Sequence, residues 1–364
     1  MTGIYLDGMF YRCSGVGRVY ENLLDAFSAL SWIGEIHTAV PAAQRERFLE
    51  RFRQPSIKPV FVGYGPMSSG DLFRKSSVLR SLRKSVRLFL FPGHNVPLTV
   101  PGKYIVSVND VTVFSEHFHS PWYRKAGFRW LLGRAVRGAE TVVTISGTAR
   151  RDLVREFGLP MENIQVIYPW VREEFFLPPP EGEALVPGEY ILYLGLRIPH
   201  KNVEGVLRSF LLLAEEFPAL KLVIAGGRYS TPDMVDRWKG DPRLEGRLVE
   251  VPDPSDDEVR RLFAGAKAFV FPSFAEGFGL PPLEAMASGV PVVCSDIAVF
   301  REVYGTAARF VDPDNPRSIA EGIREVLLDR AYSEGLSERG RRKAAGYRAD
   351  RSVGAYLDLI QSGS

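Results

Sequence analysis

Cysteine is nearly missing from this chain: Cys13 and Cys294 are the only two in 364 residues. Two thiols are too few for a disulfide framework or a thiolate zinc site, and they fit a reducing compartment. Long apolar runs are missing as well. None approaches the ~20 residues that a membrane-spanning helix needs. Segments such as Leu88–Phe91 have only the length of a strand. The opening residues, Met1-Thr-Gly-Ile-Tyr-Leu-Asp7, lack the basic start and apolar stretch of a secretory signal, so a cytoplasmic protein is expected. No repeat or low-complexity tail interrupts the sequence. What is present, 45% hydrophobic and 24% charged residues, is enough for a globular protein with two cores.

The net charge of +3 hides an asymmetry. Residues 1–170 hold 22 basic and 13 acidic residues, while the remainder holds 24 and 30. The first part is therefore net +9 and the second net −6. A basic half facing an anionic partner and an uneven solubilised surface both account for this.

Short apolar runs alternate with helical patterns, which is the mark of a parallel α/β architecture. Leu88–Phe91, Tyr104–Val108 and Thr141–Ile145 read as strands in the first half. Trp122–Val136 has helical spacing and is both aromatic and basic. In the second half Tyr190–Leu194, Lys221–Ala225, Ala268–Phe271 and Val290–Cys294 are strand-like, and Glu204–Ala214, Asp256–Ala264 and Leu283–Ala287 helix-like. Their continuous hydrophobicity predicts strands covered on both faces. The proline-dense stretch Tyr168–Pro187 reads as a linker. The reading is two Rossmann-like domains, 1–170 and 171–345, with 346–364 as a helix that crosses back to the first.

The segment Phe271–Gly289 carries the most chemistry. It reads as strand, glycine-containing loop and helix, with Pro281 and Pro282 in the first helical turn and Gly289 as the stop. The loop Glu276-Gly-Phe-Gly279 then lies at the carboxyl end of a parallel strand, where open sheets bind ligands. The helix start offers backbone N–H groups suited to a diphosphate, and Gly277 and Gly279 allow close approach. Glu276 and Glu284 make sense beside it as acceptors from ribose and hexose hydroxyls. As an isolated pair they are explained more readily as a capping acid and a solvated helix glutamate.

The surroundings change that weighting. Glu276-x7-Glu284, set in Pro-Ser-x-x-Glu-Gly-Phe-Gly-Leu-Pro-x-Leu-Glu-Ala-Met-Ala-x-Gly, resembles the signature of retaining glycosyltransferases of family 4, which have the GT-B fold. Gly195-Leu-Arg-Ile-Pro-His-Lys-Asn202 is similar to the family's basic element after the first strand of its C-terminal domain. Gly15-Val-Gly-Arg-Val-Tyr-Glu-Asn-Leu23 is similar to its N-terminal glycine loop and first helix, and Ile145-Ser146 with the basic helix that follows also fits. The likeness covers nearly the whole chain, and it most resembles bacterial surface-polysaccharide mannosyltransferases. It implies two Rossmann-like domains facing each other across a cleft.

The resemblance also implies roles. Glu284 would accept from the ribose hydroxyls of a nucleotide sugar, and Glu276 would contact the transferred sugar. The amides of Phe278, Gly279 and Leu280 would hold sugar hydroxyls and phosphate oxygens. Arg197 and Lys201 would bind the diphosphate and neutralise the leaving group. Gly15 and Gly17 would let the backbone approach the donor phosphates. No Asp-x-Asp element stands where metal-dependent transferases carry one, so no metal and no other cofactor is expected.

One position departs from the pattern. Where many members carry a His-Asp pair, this chain has Asn109-Asp110. Asn109 can donate to a hydroxyl but cannot take a proton, and Asp110 or His94 stands as a substitute. His37, His117 and His119 show no constellation. Arg80, Arg83, Lys84 and Arg87 follow i, i+3, i+4, i+7 spacing with no acid among them, which predicts one basic helix face for an anionic membrane or a lipid-linked acceptor. An ordinary solvated helix face is the competing account.

The resulting expectation is transfer of a hexose, mannose first, from GDP-mannose or a UDP-sugar to a glycan or lipid-linked glycan. The protein would work in the cytoplasm or peripherally on the inner face of the cell membrane, with no nucleic-acid partner. The rival readings are a nucleotide-sugar epimerase of the same fold and a decayed, membrane-associated glycan-binding protein.

Overall fold

A computed structural model describes residues 3–30, 32–114, 121–228 and 233–362. The chain divides into two compact units. The first comprises Met1–Val113, Ser120–Pro169 and Asp350–Ser364, and the body of the second is Trp170–Ala349.

The first unit is built on strands β1 (Gly3–Leu6), β2 (Ile36–Pro41), β3 (Ile57–Val62), β4 (Val86–Phe91), β5 (Tyr104–Ser107), β6 (Thr141–Thr144) and β7 (Ile164–Val166). All pair in parallel, in the order 3-2-1-4-5-6-7. Its helices are α1 (Ser14–Ser28), α2 (Arg45–Arg51), α3 (Lys75–Ser81), α4 (Trp122–Gly138) and α5 (Gly147–Phe157). The chain starts at the centre of the sheet, winds out to β3, and returns to β4 beside β1. Strand order therefore reverses between β1 and β4, and such switch points bind ligands at the carboxyl ends of their strands.

The second unit repeats the plan with β8 (Tyr190–Leu194), β9 (Lys221–Ala225), β10 (Leu248–Val251), β11 (Ala266–Phe271), β12 (Val292–Ser295) and β13 (Arg309–Val311). These too are all parallel, in the order 10-9-8-11-12-13, with the switch between β8 and β11. Its helices are α6 (Val203–Leu213), α7 (Asp256–Gly265), α8 (Leu280–Ala287), α9 (Ala298–Tyr304), α10 (Pro316–Leu328) and α11 (Arg330–Ala345). The central strands are buried over most of their length, as helices on both faces require, with Lys267 near the start of β11 exposed. Local signals fix the helix starts: Ser255 and Glu258 form a capping box on α7, and the Ser146 hydroxyl accepts from the Ala149 amide on α5. The last helix, α12 (Ala349–Ser362), packs within the first unit. There Tyr356 meets Phe27, and the Ser352 hydroxyl donates to the Tyr168 carbonyl at 2.6 Å.

Two expectations need correction. The proline-rich stretch is not a free linker from Trp170 onward. Val171 and Phe175 are buried in the second unit, and Ser288, next to α8, donates to the Phe175 carbonyl. The basic stripe is also broken. Helix α3 stops at Ser81, Leu82 turns out of it, and the amides of Ser85 and Val86 both donate to the Leu82 carbonyl. Val86 then starts β4. Arg80 therefore ends a helix, Arg83 and Lys84 lie on a turn, and Arg87 lies on a strand. All four are exposed, but they share no helix face. β-branched Val86 and the apolar run behind it favour the sheet over another helical turn.

Candidate active site

In the second unit the site forms where β8 and β11 end. Two loops meet there, and Asn202 holds them together. Its backbone adopts φ 56°, its side-chain oxygen accepts from the Gly205 amide to cap α6, and its Nδ2 donates to the carbonyls of Pro272 (3.0 Å) and Pro313 (2.8 Å). The Phe274 amide donates to the His200 carbonyl at 2.8 Å. These bonds place the end of the first loop against the second. Lys201 Nζ consequently donates to Glu276 Oε1 at 2.5 Å, with side chains 20% and 10% exposed. Lys201 Nζ also sits 5.3 Å from the centre of the Phe271 ring. This is a charge pair on the edge of solvent, open to exchange with an incoming anion and its hydroxyls.

Arg197 is placed differently from the expectation. Its side chain is fully buried, and Nη1 donates to both Asp233 (3.0 Å) and Glu250 (2.5 Å). Glu250 is shared with Arg228 and Lys239. Burial works against the Glu250 charge, but hydrogen bonds from Lys239 and Arg197 outweigh it and hold its carboxyl below the usual range. A guanidinium neutralised by two carboxylates projects little positive field. The structure brings Lys201, not Arg197, against Glu276.

The glycine loop is pinned from behind. Gly279 has φ 92°, a conformation that favours glycine, and a Cβ there would collide with Tyr304 and Phe300. Tyr304 is buried and its hydroxyl donates to the Gly279 carbonyl at 2.7 Å. Pro281 and Pro282 have no amide hydrogen, so the start of α8 offers fewer donors than a general helix N-terminus. The amides of Gly279 and Leu280 donate to no protein atom among the described residues. Phe278 is buried, with its ring 5.6 Å from that of Tyr347, and Gly277 is buried beside it. Glu284 is 4% exposed on α8. Arg172 stands in its field: burial opposes the guanidinium charge, while Asp256, Glu174 and Glu284 together raise its pKa. Sequence reasoning missed Asn202, Tyr304 and Arg172 as site builders. Only Asn202 lay inside a quoted motif.

In the first unit the β1/β4 switch holds a buried ionic cluster. Asp7 follows β1, and Lys75 Nζ lies 3.2 Å from Asp7, 2.6 Å from Asp71 and 2.8 Å from the Asn95 carbonyl. Asn95 Nδ2 donates to both carboxylates, and the Tyr5 hydroxyl donates to Asp7. Beside it lies a cavity of about 180 Å³ whose lining includes Leu72, Phe73, His94, Asn95 and Phe128. Burial lowers the His94 pKa, with Asp110 and Asp71 pulling the other way. The Asp110 carboxylate is occupied: it accepts from the amide and hydroxyl of Thr112, closing a turn. The buried Asn109 Oδ1 has no hydrogen-bond partner among the described residues. Gly15 and Gly17 lie in the first turn of α1, where Gly17 fits against the Phe10 carbonyl and Gly15 faces open space. His37 pairs with Glu35, and His117 and His119 lie outside the described residues.

Solved structures with this fold include GT-B glycosyltransferases. Sucrose-phosphate synthase from Thermosynechococcus elongatus superposes with TM-score 0.78 at 15% identity, covering 100% of this chain and 99% of that one. Anabaena Alr3699/HepE, solved in complex with UDP-glucose, gives TM-score 0.79 at 13% identity with both chains fully covered. The fold is thus that of the GT-B class.

Residues 13–175 match the family described as Glycosyltransferase Family 4, and residues 181–343 match Glycosyl transferases group 1. The chain belongs to this glycosyltransferase family. The O-antigen chain mannosyltransferase RfbU of Salmonella typhimurium is 31% identical over 64% of this chain. The O-antigen chain mannosyltransferase B of Escherichia coli is 30% identical over 65%. The matched region spans 63% and 64% of the length of these two relatives.

Proposed function

We propose that this protein is a retaining glycosyltransferase that moves mannose from GDP-mannose to a glycan or lipid-linked glycan in surface-polysaccharide assembly. The observation that carries the reading is the Lys201–Glu276 pair at the β8/β11 switch point. When donor enters, the ammonium turns from a carboxylate to the diphosphate, and Glu276 is released to accept from sugar hydroxyls. Lys201 then stabilises the negative charge that grows on the leaving group. Retention rests on the family likeness, with same-face attack assisted by the leaving phosphate in place of a covalent intermediate. Glu284 takes the ribose hydroxyls. The basic first unit takes the acceptor, with the cavity beside His94 as its seat. The relatives' names support mannose as the sugar, and a UDP-sugar is the second donor to test.

Incubation with a panel of nucleotide sugars tests this, scored by released nucleoside diphosphate and by transfer to lipid-linked glycan. GDP release from GDP-mannose is expected, unchanged by EDTA because Lys201 serves where a metal otherwise would. No release from any donor would overturn the reading, and an epimerised nucleotide sugar would replace it with the epimerase.

A further inference from the structure

Helix α4 has a core side and an outward side that is unusually aromatic. Leu132, Ala135 and Val136 are buried against the first unit. On the other side Trp122 is 81% exposed, Tyr123 57% and Trp130 63%. At 3.6 residues per turn, the directions of Trp122, Tyr123, Ala126 and Trp130 fall within an arc of about 100°. Among the described residues, the ring contact on this face is that of Trp122 with Tyr123, at 6.3 Å. Large aromatics at such exposure have a cost in water that a monomeric surface normally avoids.

The charges on the helix select what covers it. α4 carries Arg124, Lys125, Arg129, Arg134 and Arg137 and no acid. Arg129 lies about 20° outside Trp122 at the edge of the arc, and Arg124 follows Tyr123 in the same first turn, about 100° further round. Arg129 pairs with Glu156 at 2.7 Å, whereas Arg124 has no ion pair among the described residues. The helix belongs to the part of the chain that is net +9. A second copy would bring an equally basic helix against this one, so self-pairing is opposed by charge. Tryptophan and tyrosine rings settle at the headgroup level of a bilayer, and arginines beside them reach anionic phosphates.

We infer that the outward face of α4, formed by Trp122, Tyr123 and Trp130 with Arg129 at its edge and Arg124 in the same first turn, docks the protein on an anionic bilayer. The site replaces the broken Arg80–Arg87 stripe as the membrane contact. It does not depend on the glycosyltransferase reading, because vesicle binding is measured without turnover.

The test uses the full chain with vesicles of phosphatidylcholine, alone or mixed with phosphatidylglycerol. With the mixed vesicles, tryptophan emission should shift to the blue and be quenched by brominated lipid. Binding should weaken as salt rises. Trp122→Ser/Trp130→Ser, read by co-sedimentation, should bind roughly tenfold more weakly. Tyr123→Ser/Arg124→Gln keeps both tryptophans and should lose most of the shift. A variant with Arg80, Arg83, Lys84 and Arg87 all changed to Gln should still show the blue shift. Thermal melting controls for folding, and these exposed positions should leave it unchanged. Equal binding by the α4 variants, or loss of binding only in the four-fold Gln variant, would overturn the proposal. So would a wild-type dimer that the tryptophan variant abolishes without vesicles.

Discussion

Two lysines stand at the two switch points, and burial separates their work. Lys75, after the first unit's β1/β4 switch, is fully enclosed by Asp7, Asp71 and the Asn95 carbonyl. Lys201, at the second unit's β8/β11 switch, meets one carboxylate and keeps a fifth of its side chain in water. Taking an ion out of water costs several kcal/mol, so an enclosed pair is locked once formed. A pair at the solvent edge gives up little when it exchanges partners. The first arrangement fixes a scaffold and the second can receive an anion. Arg197 sharpens the contrast, because it sits within the second unit's motif yet is enclosed like Lys75.

The largest effect should come from Lys75→Met. It leaves Asp7 and Asp71 buried without their cation, which costs about 3–5 kcal/mol of stability. Chemical denaturation at neutral pH measures it. In the wild type, burial already raises the Asp7 pKa, with Asp71 adding to it and Lys75 opposing. A carboxyl raised on folding contributes stability that is present below its unfolded pKa and lost as pH rises through the folded value. Removing Lys75 takes away the opposing charge, so the variant's deficit should shrink as pH falls toward the acid range. A deficit independent of pH would mean that the cluster is packed, not charged, scaffolding.

Arg197→Met and Lys201→Met come next and should part company. Arg197→Met should destabilise by about 3 kcal/mol, the low end for a broken buried pair, because Arg228 also reaches Glu250. Lys201→Met should cost less, about 1–2 kcal/mol, because the carboxylate it leaves lies at the solvent edge. Its functional cost should fall on kcat/KM for the nucleotide-sugar donor, roughly ten- to a hundred-fold, as for one lost charge-assisted contact. Melting curves and steady-state kinetics on both variants decide. If Arg197→Met melts like wild type but turns over slowly, the guanidinium serves the diphosphate after all.

The same contrast explains what could be read from the chain. In the second unit the chemistry lies in two contiguous stretches, 195–202 and 271–289, each following a strong apolar strand. Contiguity let Glu276, Lys201 and Glu284 be nominated together, and the structure brings Lys201 against Glu276. In the first unit it is scattered over Asp7, Asp71, Lys75 and Asn95, which only the sheet brings together. Nothing beside Lys75 in the sequence marks it as buried. Spacing also misled at Arg80–Arg87, since i, i+3, i+4, i+7 recurs by chance across a turn. At β3, Pro59 interrupts the apolar pattern of Ile57–Val62, and the structure accommodates it on an edge strand. Burial of Arg197 had no local signal, because its acids arrive from residues 36 and 53 positions away.

The smallest effect should come from Tyr304→Phe, which asks whether the open site depends on a closed support. The Tyr304 hydroxyl donates to the Gly279 carbonyl, and its ring fills the space that a Cβ on Gly279 would need. Phenylalanine keeps the ring and removes one neutral hydrogen bond, so stability should fall by about 1 kcal/mol. The loop that presents the Gly279 and Leu280 amides would then be held by packing alone. Those amides should meet the donor in ground and transition states alike. KM for the nucleotide sugar should therefore rise a few-fold with kcat nearly unchanged. Tyr304→Leu, which also loses the ring, should raise KM further. Wild-type KM in the Phe variant would show that packing of Phe300 and Tyr304 positions the glycine loop and that the hydroxyl adds only stability.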